Sequence, residues 1–144
     1  MRVDKIAQVP PPIVQAETTV KAAIPHMKIG CGCGVAVMDG DQFVGTVSLN
    51  DILMRVASGG LDVDTTTVRD VMHPPVDTVT GDTDAKEAVK KMHTNGVCYL
   101  GVVDTEGALT GWLNLCDLFK EREEGLDHEM DSIISYLAAD GPGG

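Results

Sequence analysis

The chain has 144 residues, of which 43% are hydrophobic but only 3% aromatic, so a packed core is feasible and must be aliphatic. A formal charge of −11 and a pI near 4.5 argue against the basic stripe of a nucleic-acid binder and disfavour an anionic membrane surface. The start lacks the long apolar segment of a signal peptide and no apolar run is long enough to span a bilayer. The expectation is therefore a soluble, cytoplasmic protein that engages neither nucleic acid nor membrane.

In chain order, the first punctuation is proline-rich, "VPPPIV" at residues 9–14. It is followed by "TTVKAAIPHM" at residues 18–27, where Ala23, Ile24 and Met27 recur at helical spacing. Pro25 sits inside that pattern, at a cost of about 3 kcal/mol in a helix interior, so the helix ends or bends there. "GCGCG" at residues 30–34 resembles a metal motif, but structural zinc sites space their paired cysteines by two to four residues. Cys31, Cys33, Cys98 and Cys116 therefore read first as small buried hydrophobes. The alternating glycines then mark a backbone that something approaches closely. A strand at residues 35–39 leads through the turn "DGDQ" into a second strand and the phrase "GTVSLNDIL" at residues 45–53. A polar, glycine-containing linker, "SGGLDVDTTT", covers residues 58–67.

The same series then returns. Proline punctuation recurs as "HPPVDTV" at residues 73–79, the helix pattern as "TDAKEAVKKM" at 83–92, the strand as "LGVVD" at 100–104 with its turn "DTEG", and the phrase as "GWLNLCDLF" at 111–119. The offset is 65 or 66 residues throughout, and even Val3-Asp4-Lys5-Ile6 is echoed by Val68-Arg69-Asp70-Val71. Each unit is β-α-β-β-α. One such unit of about 60 residues buries little alone, so two copies should pack sheet to sheet, with a ligand cleft between similar halves. The boundaries fall at residues 1–62 and 63–123, with 124–144 as a tail.

Two tandem units with these phrases resemble a CBS-domain pair, or Bateman module, of the stand-alone bacterial or archaeal type. The resemblance covers roughly residues 1–123 and is strongest in the second unit. It implies an α+β fold with pseudo-twofold symmetry, a homodimer, and an adenosine-containing regulatory ligand in the central cleft: AMP, ADP, ATP or S-adenosylmethionine. The family phrase is Gly, two apolar residues, Thr or Ser, two further residues, then Asp. Carried over, it places Ser48 and Asp51, and Asn114 and Asp117, on ribose and phosphate, with Asn114 departing from the usual hydroxyl. The adenine would lie against Val14, Val35, Ala36, Leu100 and Gly101, with Thr78 near the base. Ala36 and Gly101 stand where family members often carry Pro.

The residues themselves admit a plainer role for the same phrase. Ser48-x-x-Asp51 has the form of a helix-capping box, and Asn114-x-x-Asp117 likewise. The first turn of a helix also attracts phosphate, and a carboxylate there can accept two ribose hydroxyls. The cationic candidates are Lys28, His26, Arg55, His73, His93 and Lys120, with Arg55 placed to pair with Asp51 one turn away. They form no concentrated phosphate clamp, which ranks AMP or ADP above ATP. No nucleophile and base stand in a recognisable catalytic frame, so a non-enzymatic sensor without a required cofactor or metal is expected. Two alternatives stay open: a cysteine-based metal or redox switch using Cys33 and Cys98, which align at the same offset, and a ligand-free dimerisation module. In the tail, Leu126, Met130, Ile133, Ile134 and Leu137 form one helical stripe. It either docks on the module or its dimer mate, or offers a handle to another protein.

Overall fold

Both units build a three-stranded sheet with the same pairing, offset by 65 positions. In the computed structural model, which describes residues 1–27, 34–75, 77–120 and 133–138, β1 (Ile13–Gln15) runs parallel to β2 (Gly34–Asp39), which is antiparallel to β3 (Gln42–Ser48). In the second unit β4 (Thr78–Thr80), β5 (Tyr99–Val103) and β6 (Leu109–Asn114) repeat this order. Ile13 pairs with Ala36 as Thr78 pairs with Gly101, and each hairpin bulges at the same place, after Val37 and after Val102. Both turns use a glycine where φ is positive, Gly40 at 62° and Gly107 at 84°.

The helices differ more than the sheets. In the second unit, α4 (Ala85–Asn95) is capped by Asp84 and closed by Gly96 in the left-handed conformation. Its counterpart α1 (Val20–Ala23) is only one turn, continuing as a 3-10 turn over Ile24–His26. Pro25 is the cause, since its ring and missing N–H stop α-helical propagation. The phrase after β3 opens α2 (Leu49–Asp51), which passes into a π-helical turn over Ile52–Ala57. The phrase after β6 opens α5 (Leu115–Lys120).

Each sheet packs its helices into an aliphatic core, and the two cores exchange their leading segments. Val3 and Ile6 are buried among Val89, Met92, Leu100 and Leu113 of the second unit. There the Val3 amide donates to Thr83 and the Asp4 amide to Gly81. Reciprocally, α3 (Val68–Val71) inserts Val68 and Val71 beside Val20, Val37 and Val47 of the first unit. The Val68 amide donates to Thr18 and the Arg69 amide to Ala16. Residues 1–7 and 66–72 thus serve the other unit's core, so limits drawn along the chain do not coincide with limits drawn through the cores. The tail joins the second core: in a helix over residues 133–138, Ile133 is buried, and Tyr136 and Leu137 pack beside it. Leu126 and Met130 of the same stripe lie outside the described residues.

Between the sheets lies a small third cluster: Ala36, Tyr99 and Trp112, flanked by Phe43 and Leu109. Tyr99 and Trp112 stack with ring centroids 5.1 Å apart and 14° between planes. A Cβ placed on Gly34 would lie 2.7 Å from the Tyr99 ring, so this glycine is where the aromatic of one unit presses on the backbone of the other. The pseudo-twofold is also visible in two cross-connections: Gln8 bridges to Trp112, and His73 to Thr46.

Candidate ligand-binding site

The site starts where β3 ends. Ser48 leaves the sheet with extended backbone and caps α2: its Oγ accepts the Asp51 amide at 3.2 Å, and Asp51 Oδ2 accepts the Ser48 amide at 2.8 Å. Ser48 Oγ also donates to Asp51 Oδ2 at 3.0 Å. The capping box thereby fixes a carboxylate that is only 7% exposed. Its other oxygen, Oδ1, meets His73 Nε2 at 2.5 Å. His73 is placed by main-chain bonds: its amide donates to the Thr46 carbonyl at 2.8 Å and its carbonyl accepts the Thr46 amide at 2.9 Å. Behind the ring, Arg55 Nη2 lies 3.3 Å from His73 Nδ1, while Nη1 donates to the Val71 carbonyl. Arg55 therefore does not pair with Asp51; the π-helical turn directs it to the segment after the linker.

These groups face a cavity of about 500 Å³ between the two units. Thr46, Ser48 and Asp51 form one wall, and His73, Pro74 and Asp77 the approach to β4; the turn from Asn95 to Tyr99 closes the far side. Asn95 Nδ2 donates to Asp77 Oδ1 at 2.7 Å and holds that turn to the approach segment. Burial raises the Tyr99 phenol above its usual value, while hydrogen bonds with Thr46 and Ser48 oppose the shift. Tyr99 thus stays a neutral hydroxyl that ties the wall to the inter-sheet layer. No Lys or Arg side chain lines the cavity among the described residues, whereas two carboxylates do.

The CBS domain family matches this chain twice, at residues 3–58 and 68–124. The chain belongs to the CBS-domain family. CBS-domain pairs are typically regulatory rather than catalytic. A curated relative, an uncharacterized protein of Methanopyrus kandleri, is 35% identical over 104 residues, which are 72% of this chain and 53% of that protein; the chain therefore spans about half of the relative's length. A conserved CBS domain protein of Thermoplasma acidophilum superposes with a TM-score of 0.75 at 31% identity, covering 83% of this chain and 68% of that one. A CBS domain protein of Pyrobaculum aerophilum, solved in complex with AMP, superposes with a TM-score of 0.74 at 24% identity and covers 96% and 99% of the two chains.

Within this CBS pair the residues expected from sequence separate into three groups. Ser48 and Asp51 stand together on the cavity wall. Asn114 and Asp117 occupy the related position after β6, where the Asn114 amide and side chain each donate to Asp117 Oδ2 at 3.4 Å. The six residues expected along the adenine are not on the wall of this cavity. Val14 and Val35 point into the first core and Leu100 into the second. Ala36 lies in the inter-sheet cluster, and Gly101 faces Phe43. Thr78 is half-buried on β4, its carbonyl taken by Lys91. Side chains alternate along a strand, so Val35 and Leu100 serve the helix side while their neighbours Gly34 and Tyr99 face the other unit.

Sequence reasoning missed Tyr99, Thr46, Asp77 and Asn95, and named His73 only as a cation. A signal existed for Thr46, which lies two positions before Ser48 and so shares its strand face. Of the cysteines, Cys98 carries a free thiol and lines the cavity, and Cys116 is disulfide-bonded; Cys31 and Cys33 lie outside the described residues. The described residues contain no group of three or more metal-ligating side chains and no helix long and apolar enough to cross a membrane.

Proposed function

We propose that this CBS pair is a non-enzymatic sensor that binds an adenosine-containing ligand in the cavity beside Asp51. The observation that carries the reading is the buried Asp51 carboxylate, fixed by its capping box on the wall of a 500 Å³ cleft between the two units. That volume suits a nucleoside, and an ionised carboxylate at this point can accept the paired hydroxyls of a ribose, each such bond contributing about 1.5–3 kcal/mol. The Pyrobaculum relative in complex with AMP supports the same class of ligand. A wall that carries two carboxylates and, among the described residues, no ammonium or guanidinium group favours AMP or ADP over ATP and leaves the cationic S-adenosylmethionine as a competitor. Asn114 and Asp117 form the corresponding candidate in the second unit. Signalling passes to a protein partner as a shift between states of the module.

The module acts as a cytoplasmic homodimer in this reading. The exposed apolar side chains of Ile24, Leu53 and Met54 on the first unit's helical turns support that assembly. The stripe at residues 133–138 is used at Ile133 for docking on its own second unit, which leaves the outer helix surface for a partner.

Isothermal titration of AMP, ADP, ATP and S-adenosylmethionine, with Asp51→Ala and Asp117→Ala in parallel, tests the function. Loss of a ribose-binding carboxylate should weaken binding by about 30- to 1,000-fold. Absence of heat with all four ligands, on protein stripped of nucleotide, would reduce the repeated phrase to a helix cap.

A further inference from the structure

We propose that His73 is an internal competitor for the ribose-binding carboxylate and sets the affinity of the cavity; the inference rests on the adenosine reading above. It follows from counting acceptor positions on Asp51. Oδ2 already accepts the Ser48 amide and the Ser48 hydroxyl, at 2.8 and 3.0 Å, which uses both of its lone pairs. Oδ1 accepts from His73 Nε2 at 2.5 Å, so one acceptor position remains. A ribose diol needs two.

The ring is held in the competing orientation. Guanidinium groups only donate, so Arg55 Nη2 at 3.3 Å makes His73 Nδ1 an acceptor and leaves the ring proton on Nε2, aimed at Asp51. The His73 main chain is bonded to Thr46 on both sides, so the side chain can leave Asp51 without unseating the strand edge. A diol that takes both positions on Oδ1 displaces the imidazole, and the imidazole carries Arg55 with it. Arg55 in turn holds the Val71 carbonyl at the end of α3, the segment that completes the first core. Ligand arrival is thus converted into a change at the exchanged segment, by bonds already in place.

An occupied position lowers apparent affinity by the fraction of time it is free. If the contact is closed about nine-tenths of the time, removing it raises affinity about ten-fold. The test is titration of adenosine and of 2′,3′-dideoxyadenosine into wild type, His73→Ala and His73→Gln, with circular dichroism and melting temperature as controls on folding. His73→Ala should bind adenosine about ten-fold more tightly and dideoxyadenosine no better than wild type. His73→Gln restores an N–H donor near the Nε2 position and should bind adenosine like wild type. As a measurement on the unaltered protein, the imidazole nitrogen resonances of His73 should shift when adenosine is added. Weaker adenosine binding by His73→Ala would overturn the inference and make His73 a ligand contact. An equal gain for both nucleosides would overturn it in favour of simple space. Absence of binding by every variant would overturn the adenosine reading itself, and this inference with it.

Discussion

Replacing Gly34 by Ala measures how tightly the two units meet at Tyr99. A Cβ there would lie 2.7, 2.9 and 3.0 Å from three Tyr99 ring atoms, Cε1, Cδ1 and Cζ, all closer than van der Waals contact. The ring cannot swing clear without loss: it is 6% exposed, stacked on Trp112 and hydrogen-bonded to Thr46 and Ser48. Relieving the overlap therefore costs about 1–3 kcal/mol of repacking, with up to about 1 kcal/mol of stacking forfeited as the rings slide. Against this, alanine in place of a strand glycine recovers about 0.5–1 kcal/mol of backbone entropy. The net expectation is a loss of about 1–3 kcal/mol. At roughly 2–4 °C per kcal/mol for a chain near 150 residues, the melting temperature should fall by about 2–12 °C. Thermal unfolding of Gly34→Ala, Tyr99→Leu and the double variant reads this directly. Because leucine lacks the ring edge, the glycine substitution should cost much less on the Tyr99→Leu background, a coupling of about 1–2 kcal/mol. An unchanged melting temperature, or the same cost on both backgrounds, would refute the close approach.

Further outcomes follow from the exchanged segments, the buried phenol and the tail. Val3→Ala removes two buried methyl groups and should cost about 2–3 kcal/mol. In hydrogen exchange its loss of protection should appear in the second unit, at α4 and β5, whereas Val68→Ala should expose the first unit; the reverse pattern would contradict the exchange. Tyr99 has a folded pKa raised chiefly by burial, so its stabilising contribution is fully present below the unfolded value of about 10 and lost as pH rises through the folded one. Urea midpoints of wild type should therefore fall more steeply above about pH 10 than those of Tyr99→Phe, and parallel slopes would remove Tyr99 from the alkaline transition. Ile133, 1% exposed in the second core, should cost about 2–4 kcal/mol on replacement by Ala; a neutral result in urea unfolding would mean the tail does not dock.

The repeat made the architecture legible, because its 65-residue offset carried strand, turn and cap signals together, and Pro25 announced the short first helix. The capping box of the first unit was legible for the same reason: Ser48 and Asp51 act locally, through bonds three residues apart. The wall of the cavity was not. β2 and β5 are buried on both faces over Gly34–Val37 and Tyr99–Val102, so no alternation of polar and apolar residues marks which side meets the helices and which the other sheet. Val35 and Leu100, which the family resemblance assigns to the adenine, fill the cores. The echo of residues 3–6 in 68–71 was visible as a repeat, but nothing in its composition shows that each copy crosses to the other unit; only contact with Val89 or Val47 does so.

The two units cannot be equal where they meet. At the pseudo-twofold, position 34 faces its own counterpart, position 99. Two tyrosines would collide there, since even a Cβ on Gly34 overlaps the ring, and two glycines would leave a void that a close-packed interior does not tolerate. One large and one small residue is the solution, and the same division recurs next to it, with Trp112 in the second unit where the first has Thr46. Packing at the axis thus differentiates the surroundings of Asp51 from those of Asp117. The cavity beside Asp51 gains Tyr99 and keeps Thr46 and Ser48 as hydroxyls, whereas the residues related to these three by the pseudo-twofold are Gly34, Trp112 and Asn114. Capping differs in the same sense, with donor distances of 2.8 Å to Asp51 and 3.4 Å to Asp117. An adenosine ligand should therefore meet two unequal sites, with the tighter one lost in Asp51→Ala and spared in Asp117→Ala. Titration to saturation decides it: two sites per chain of equal affinity, each halved in number by either substitution, would show that the asymmetry at the axis stops short of the ligand.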